Sequence, residues 1–248
     1  MRQFGLIGKT LSHSFSKNYF TEKFKKENIK NCAYGLYELA HASELKHLVK
    51  NNKNLRGLNV TIPFKNDVIP LLDALDSRAK KIGAVNVIKI TKDKKLIGYN
   101  SDYYGFKNSL EKWLGNISIK AVVLGTGGAS KAVTVALDDL EIPFVQVSRA
   151  ATQSAIDYGA LNVNSETYKS HHLIINTTPL GMYPKIDATP DLQYDWLTNE
   201  HYMYDLVYNP EETLFMKKGG DKGAQVKNGL EMLMLQAEKS WEIWNREA

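Results

Sequence analysis

The chain has 248 residues and 43% hydrophobic content, enough to build packed cores in one large domain or two modest ones. Its apolar runs are short and broken by charge, which excludes the roughly 20-residue span of a transmembrane helix, and its single cysteine, Cys32, excludes an internal disulfide and reads as a buried thiol. A formal charge of +5 permits nucleic-acid binding, but the lysines are dispersed over Lys23 to Lys26, Lys80-Lys81 and Lys92 to Lys95, as solvated faces and a turn. That balance equally suits steering of small anionic ligands, and charge alone does not decide between the two; with the motifs below, a small-molecule substrate is expected, with no nucleic acid or membrane partner and no metal site.

The segment Met1 to Gly8 is too brief for a signal-peptide apolar region, so a mature N-terminus and a cytoplasmic location are expected. Phe4 to Gly8 predicts a buried strand, and Ser16 to about Asn28 a helix with Tyr19, Phe20 and Phe24 at helical spacing. A strand from Ala33 to Leu39, a helix from Ser43 to Val49, a strand from Gly57 to Thr61 and a helix beginning after Pro63 continue the alternation. Val85 to Ile90 and Leu96 to Tyr99 flank a turn at Lys92-Asp93-Lys94 and predict a hairpin. From Asp102 a helix carries Phe106, Leu110, Trp113 and Leu114. Strands at Ala121 to Leu124, Phe144 to Val147, Leu173 to Asn176 and Met203 to Val207 then imply a parallel sheet with crossovers. A last helix, about Gln225 to Arg246, carries Val226, Leu230, Leu233, Met234, Ala237, Trp241 and Trp244 on one stripe, read as core.

Three polar clusters end apolar stretches: Asn59-Val-Thr61-Ile-Pro63-Phe-Lys65, Gly83-Ala-Val-Asn86 and Asn100-Ser-Asp102. Buried strands have no structural need for an amide, a hydroxyl, an ammonium and a carboxylate at successive ends, since each one left unpaired costs about 1–3 kcal/mol. Lys65 and Asp102 are the ionisable members. A lysine can protonate a carbonyl oxygen as hydride arrives, and a carboxylate can orient it; the structural alternative is a salt bridge. Ser14 and Ser16, before the first helix, can donate to a carboxylate favoured by the helix dipole, although serine there also serves as an N-cap, and alone the cap is the better reading. His13 beside them reads as structural.

The run Lys120 to Ser130 passes from an apolar strand through Gly125, Thr126, Gly127, Gly128 and Ala129 into a helix. Gly125 allows the turn, Gly127 lets backbone approach a pyrophosphate, and the helix presents unpaired N–H groups; Ser130 stands where glycine or alanine is expected. The plain alternative is a glycine-rich turn. Ser148-Arg149 ends the next strand in place of an acidic ribose ligand, which suits the 2′-phosphate of NADP, unless Arg149 is merely a solvated surface residue. Together these features point to a nicotinamide enzyme with a separate polyol pocket.

These motifs, with Asn176-Thr-Thr-Pro-Leu-Gly181-Met and Gly229-Leu-x-Met-Leu-x-x-Gln236, occur in the order found in the shikimate dehydrogenases, and the chain resembles that family over nearly its whole length. The resemblance implies an α/β protein: an N-terminal α/β substrate domain completed by the C-terminal helix (1–101 and 225–248), plus an inserted Rossmann-like NADP-binding domain (102–224) across a cleft. It implies reversible NADPH-dependent reduction of 3-dehydroshikimate to shikimate, on the route to chorismate and the aromatic amino acids, by a monomer or homodimer. Lys65 and Asp102 would be the catalytic pair. Ser14 and Ser16 would bind the substrate carboxylate; Asn59, Thr61, Asn86, Asp102 and Gln236 the ring hydroxyls; and Tyr208 would stand beside the substrate. Gly125 to Ser130, Ser148 and Arg149 would hold NADP, with Thr177, Leu206 and Gly229 near the nicotinamide.

The chain departs from the family pattern at Lys17, where proline is usual, at Ser148-Arg149-Ala150, where Asn-Arg-Thr is usual, and in a short stretch from Ala150 to Lys169. Gln153 adds no second positive charge for the 2′-phosphate. The rival readings are a quinate or dual quinate/shikimate dehydrogenase and a non-catalytic ligand-sensing module, which would be free to lose Lys65 or Asp102.

Overall fold

Strand β1 (Arg2–Gly8) shows how its sheet is layered: Phe4 and Leu6 point into one apolar cluster and Ile7 into another, as a side-chain period of two requires. The structure is a computed structural model describing residues 1–11 and 14–246, so Ser12 and the expected structural role of His13 lie outside the described residues. The chain divides into two compact units, Met1–Ser101 with Gln236–Ala248, and Asp102–Leu235.

The first unit holds a six-stranded sheet made of β1, β2 (Cys32–Glu38), β3 (Leu55–Val60), β4 (Ala74–Leu75), β5 (Val87–Ile90) and β6 (Leu96–Tyr99), in the order β2-β1-β3-β5-β6-β4. β1 runs parallel to β2 and β3, through crossovers carrying α1 (Phe15–Lys26) and α2 (Leu45–Asn51), the latter entered by a 3₁₀ turn at Ala42–Glu44. β5 is antiparallel to β3 and β6, so the expected hairpin forms, pairing Val87 with Tyr99 and Ile90 with Leu96. α3 (Ser77–Ile82) leads into Gly83, which closes the helix at φ 67.

The structure differs from three local expectations. No α-helix follows Pro63: residues 62–68 form turns and lead to a 3₁₀ helix at Ile69–Leu71. Asn66 and Asp67 compete for backbone hydrogen bonds, and Pro70 supplies no N–H to continue a helix. Lys23 is not on a solvated face; it is 9% exposed and bridges Glu27 and Glu238, both at 2.7 Å, so its stem packs while its head pairs. Cys32, at the start of β2, is half-buried.

The second unit begins with α4 (Asp102–Leu114) and holds β7 (Ala121–Leu124), α5 (Gly128–Asp139), β8 (Phe144–Ser148), β9 (Ile156–Asp157), α6 (Tyr158–Asn162), α7 (Ser165–Ser170), β10 (Leu173–Asn176), β11 (Tyr202–Asp205), α8 (Leu214–Gly220) and β12 (Gln225–Lys227). Its six strands are all parallel, in the order β12-β11-β10-β7-β8-β9. Counted within the unit this is the doubly wound dinucleotide-binding order, whose topological switch falls between β7 and β10. Val122, Leu124, Ile174 and Met203 enter one apolar cluster, while the intervening Val123, Ile175 and Tyr204 are buried on the opposite face. The stretch from Ala150 to Lys169 contains only the two-residue β9 and the short α6 and most of α7.

The final helix, α9, spans Leu230–Asn245 rather than starting near Gln225. Gln225 to Lys227 instead pair with Tyr202 to Tyr204 as an edge strand, and the Asn228 side chain satisfies the first N–H of the helix by accepting from Leu230 N at 3.1 Å. Val226 packs on the core of the second sheet, while Met234, expected on the apolar stripe, is 42% exposed. The compact units accordingly break between Leu235 and Gln236, where the sequence suggested a break at 224/225.

Candidate active site and cofactor site

In the first unit the polar residues at the strand ends are joined by hydrogen bonds. Gly57 and Asn59 lie on the face of β3 that α9 covers, so Asn59 meets helix side chains rather than water. Its Oδ1 accepts from the Tyr34 phenol at 2.8 Å, and its Nδ2 donates to Ser240 Oγ at 2.9 Å and to the Asn86 carbonyl at 3.3 Å. Asn86 Nδ2 donates to Ser101 Oγ at 3.0 Å, and its Oδ1 accepts from Ser101 N at 2.7 Å. Ser101 Oγ in turn lies 3.2 Å from both Gln236 Oε1 and Ser240 Oγ. Asn59, Asn86, Ser101, Gln236 and Ser240 are all buried, and among the described residues no buried side-chain N or O atom lacks a partner. Burial pushes the Tyr34 phenol far above its ordinary range, with the Ser16 hydroxyl facing it and offsetting part of that rise.

The network therefore unites Asn59, Asn86 and Gln236 with three residues the motif reading did not assign, Tyr34, Ser101 and Ser240. Ser240 was legible as one helical turn beyond Gln236; Tyr34 carried no local signal, since only the sheet order brings β2 near β3. Thr61 and Lys65 stand half-buried beyond the end of β3, where Thr61 N donates to the Ile7 carbonyl at 2.9 Å and the Lys65 carbonyl accepts from Val85 N at 2.8 Å. Ser14 is the N-cap of α1, accepting from Lys17 N at 3.4 Å. A hydroxyl that accepts through a lone pair keeps its O–H to donate, so capping and carboxylate binding are compatible. Lys17 at the third helical position in place of proline supplies the N–H for this cap.

In the second unit Asp102 is the first residue of α4 and is 8% exposed. β7 runs into Gly125, at φ 111, where a Cβ would stand 2.6 Å from Thr177 Oγ1. At Gly127 a Cβ would enter open space before α5, whose first turn has no side-chain cap and no acidic residue. Open backbone before an uncapped helix N-terminus at a sheet's switch point is what a pyrophosphate requires, so the residues present fit a dinucleotide. Ser130, the departure from the glycine pattern, is fully buried and donates to the Gly125 carbonyl at 2.7 Å, while Gln146 donates to that carbonyl and to Ser130 Oγ. Ser130 thus shapes the loop from behind, with Gln146, which the motif reading missed.

Ser148, at the end of β8, donates to the Ala150 carbonyl, and Arg149 beside it is exposed. Thr177, after β10, donates through Oγ1 to the Leu124 carbonyl at 2.6 Å, tying the two strands at the switch point. Gly229 packs against Leu206, where a Cβ would come within 2.1 Å of the Leu206 carbonyl oxygen. Tyr208 is half-buried, and burial raises its phenol above the ordinary range.

A doubly wound sheet with a glycine loop at its switch point, in a chain with a second α/β unit lined by hydroxyl and amide groups, defines a nicotinamide-dinucleotide dehydrogenase with its own substrate domain. Residues 6–88 match the family model described as the shikimate dehydrogenase substrate binding domain. The NADP+ shikimate dehydrogenase of Clostridium beijerinckii is 43% identical over 255 residues, covering 98% of this chain and 92% of that protein. Shikimate dehydrogenase 1 of Peptoclostridium difficile has a similar structure at TM-score 0.84 and 37% identity, covering 98% of this chain and 91% of that one. The Thermus thermophilus shikimate 5-dehydrogenase, in complex with NADP(H) and shikimate, superposes at TM-score 0.86 with 27% identity, covering 99% of this chain and 94% of that one. The chain belongs to the shikimate dehydrogenase family.

Proposed function

We propose that this protein catalyses the reversible NADPH-dependent reduction of 3-dehydroshikimate to shikimate, a step of chorismate and aromatic amino acid biosynthesis. The observation that carries the reading is the buried network that joins Asn59, Asn86 and Ser101, at or just beyond strand ends, to Gln236 and Ser240 of α9, accompanied in the second unit by a glycine loop with open backbone before α5. When bound, NADPH supplies the hydride that reaches the carbonyl carbon. The Lys65 ammonium gives its proton to the carbonyl oxygen in that step and takes one back in the reverse direction, and Asp102, the second member of the catalytic pair, accepts from the adjoining ring hydroxyl. The Ser14 and Ser16 hydroxyls donate to the substrate carboxylate, whose charge the N-terminus of α1 favours.

Thr61, Asn86 and Gln236 take the remaining ring hydroxyls. Asn59 acts chiefly by holding the ends of β3 and β5, since Tyr34, Ser240 and the Asn86 carbonyl occupy three of its four hydrogen-bonding positions. Tyr208 stands beside the substrate. Gly125 to Ser130 carry the pyrophosphate, Ser148 and Arg149 the 2′-phosphate, and Thr177, Leu206 and Gly229 the nicotinamide. In this reading the substrate domain is residues 1–101 completed by the C-terminal helix, and the enzyme works in the cytoplasm as a monomer or homodimer. No helix among the described residues is long and apolar enough to cross a membrane.

Replacing Lys65 tests the chemistry. A proton donor interacts more strongly as charge develops on the oxygen, so Lys65→Ala should lower kcat by roughly 10²-fold or more with a small change in the KM for shikimate. A folded Lys65→Ala enzyme with near-normal kcat would overturn the assignment.

A further inference from the structure

Asn176 and Asp205 end adjacent parallel strands and are direct register partners, so their side chains emerge together at the carboxyl edge of the second sheet. Asp205 is fully buried. Its Oδ1 accepts from Asn176 Nδ2 and from Val207 N, both at 3.0 Å, and its Oδ2 accepts from Thr213 Oγ1 at 2.6 Å. No cation pairs with it among the described residues. Asn176 Oδ1 in turn accepts from Thr178 N at 3.0 Å and Thr178 Oγ1 at 2.6 Å. One carboxylate thus holds the start and the end of the 206–213 loop, and through Asn176 it also holds the 177–180 loop. Thr213, besides its bond to Asp205, caps α8 by accepting from Met216 N at 3.3 Å.

A buried carboxylate with no counter-ion is a costly way to close a loop that neutral groups could close. What it offers is acceptor strength and fixed geometry: three donors from separate segments converge on one group. The segments it fixes are those that carry Thr177, Leu206 and Tyr208. The loop is buttressed from the far side by Gly229, whose N–H donates to the Val207 carbonyl at 3.1 Å and whose missing side chain lets the Leu206 backbone approach. We propose that Asp205, aided by Asn176, is a positioning residue that sets the two loops on which the nicotinamide end of the cofactor rests. The inference builds on the nicotinamide reading of those loops.

The test compares Asp205→Ala, Asp205→Asn and Thr213→Val with the wild type, each shown folded by melting above the assay temperature. Asp205→Ala strips all three acceptor bonds. Asp205→Asn keeps one acceptor oxygen for Asn176 and Val207 and turns an amide toward the Thr213 hydroxyl, which can accept. The expected result is a fall in kcat of roughly tenfold or more and a raised KM for NADP in Asp205→Ala, substantial rescue in Asp205→Asn, and shikimate binding, by equilibrium dialysis without nucleotide, weakened less than NADP binding. Should Asp205→Ala not fold, Thr213→Val must show the same split at smaller size. Wild-type kcat and NADP affinity in a folded Asp205→Ala, or in Thr213→Val where that variant is decisive, would overturn the proposal, as would loss confined to melting temperature. Titration of NADPH fluorescence reads the loops without any substrate, so a protein that does not oxidise shikimate at all would refute the functional reading while the effect of these variants on NADPH binding still decides this one.

Discussion

Gly127→Ala and Gly125→Ala, two residues apart in one loop, should fail in opposite ways. At Gly125 the backbone has φ 111, which costs a side-chain-bearing residue about 1–3 kcal/mol, and the added methyl meets Thr177 Oγ1 at 2.6 Å. Moving Thr177 sacrifices its hydrogen bond to the Leu124 carbonyl, worth about 1 kcal/mol. The sum, about 2–4 kcal/mol, corresponds to a melting temperature lowered by roughly 4–16 °C in the ligand-free protein. At Gly127 φ is −80 and nothing lies within 4 Å of the added methyl, so alanine is tolerated and should stabilise by about 0.4–1 kcal/mol through the unfolded chain. That methyl nevertheless occupies the approach to the N–H groups of α5. Loss of one charge-assisted hydrogen bond, about 1.5–3 kcal/mol, weakens NADPH binding roughly 10- to 100-fold. Differential scanning fluorimetry without ligand and NADPH fluorescence titration separate the effects. A Gly127→Ala protein that binds NADPH as the wild type does would refute the loop's assignment to the pyrophosphate.

Arg149→Ala should raise the KM for NADP by an amount corresponding to about 1.5–3 kcal/mol and leave NAD nearly unaffected; steady-state kinetics with both nucleotides check it, and an unchanged NADP to NAD preference contradicts it. Alanine at both Ser14 and Ser16 should weaken shikimate binding far more than the roughly 1 kcal/mol of stability that a lost cap costs, whereas a protein that melts early with an unaltered KM would establish the cap as the whole role. Burial raises the Asp205 carboxyl from the ordinary 3.8 to about 6, so between those pH values the folded protein holds a proton that the unfolded chain has released. Stability from this group is therefore fully present below pH 3.8 and is lost as pH rises to about 6, by about 3 kcal/mol at about 1.4 kcal/mol per pH unit. Asp205→Asn should remove that slope from urea melts at successive pH values, while Glu231, held down at about 2 chiefly by its hydrogen bonds to Lys112 and Lys227, contributes the opposite slope in both proteins.

The parallel strands of the second sheet were readable because Ala121 to Leu124 and Leu173 to Asn176 are buried on both faces and so form apolar runs closed by a turn or a polar residue. The start of the last helix was not, because Val226 and Leu230 are four apart and mimic a helical stripe although Val226 belongs to an edge strand. β4 and β9, two residues each, are too short to show any period. Among site residues, those at strand ends announced themselves as polar groups closing apolar stretches. Their partners did not: Tyr34 and Gln146 matter through neighbours chosen by strand order and register, which local sequence does not encode, and Asp205 was hidden because the expected strand ran on to Val207 whereas β11 ends at Asp205 itself. Ser130 looked like a defect in the glycine pattern until its bond to the Gly125 carbonyl gave it a purpose.

The proposed reaction can be followed directly with the purified protein. With shikimate and NADP+ the nicotinamide absorbance band should grow at a rate proportional to enzyme, with NAD+ and quinate as the comparison cofactor and substrate giving lower kcat/KM, and the Lys65→Ala protein at equal concentration should leave the band nearly flat. No growth of the band with shikimate and either nucleotide, from wild-type protein shown to be folded, would contradict it.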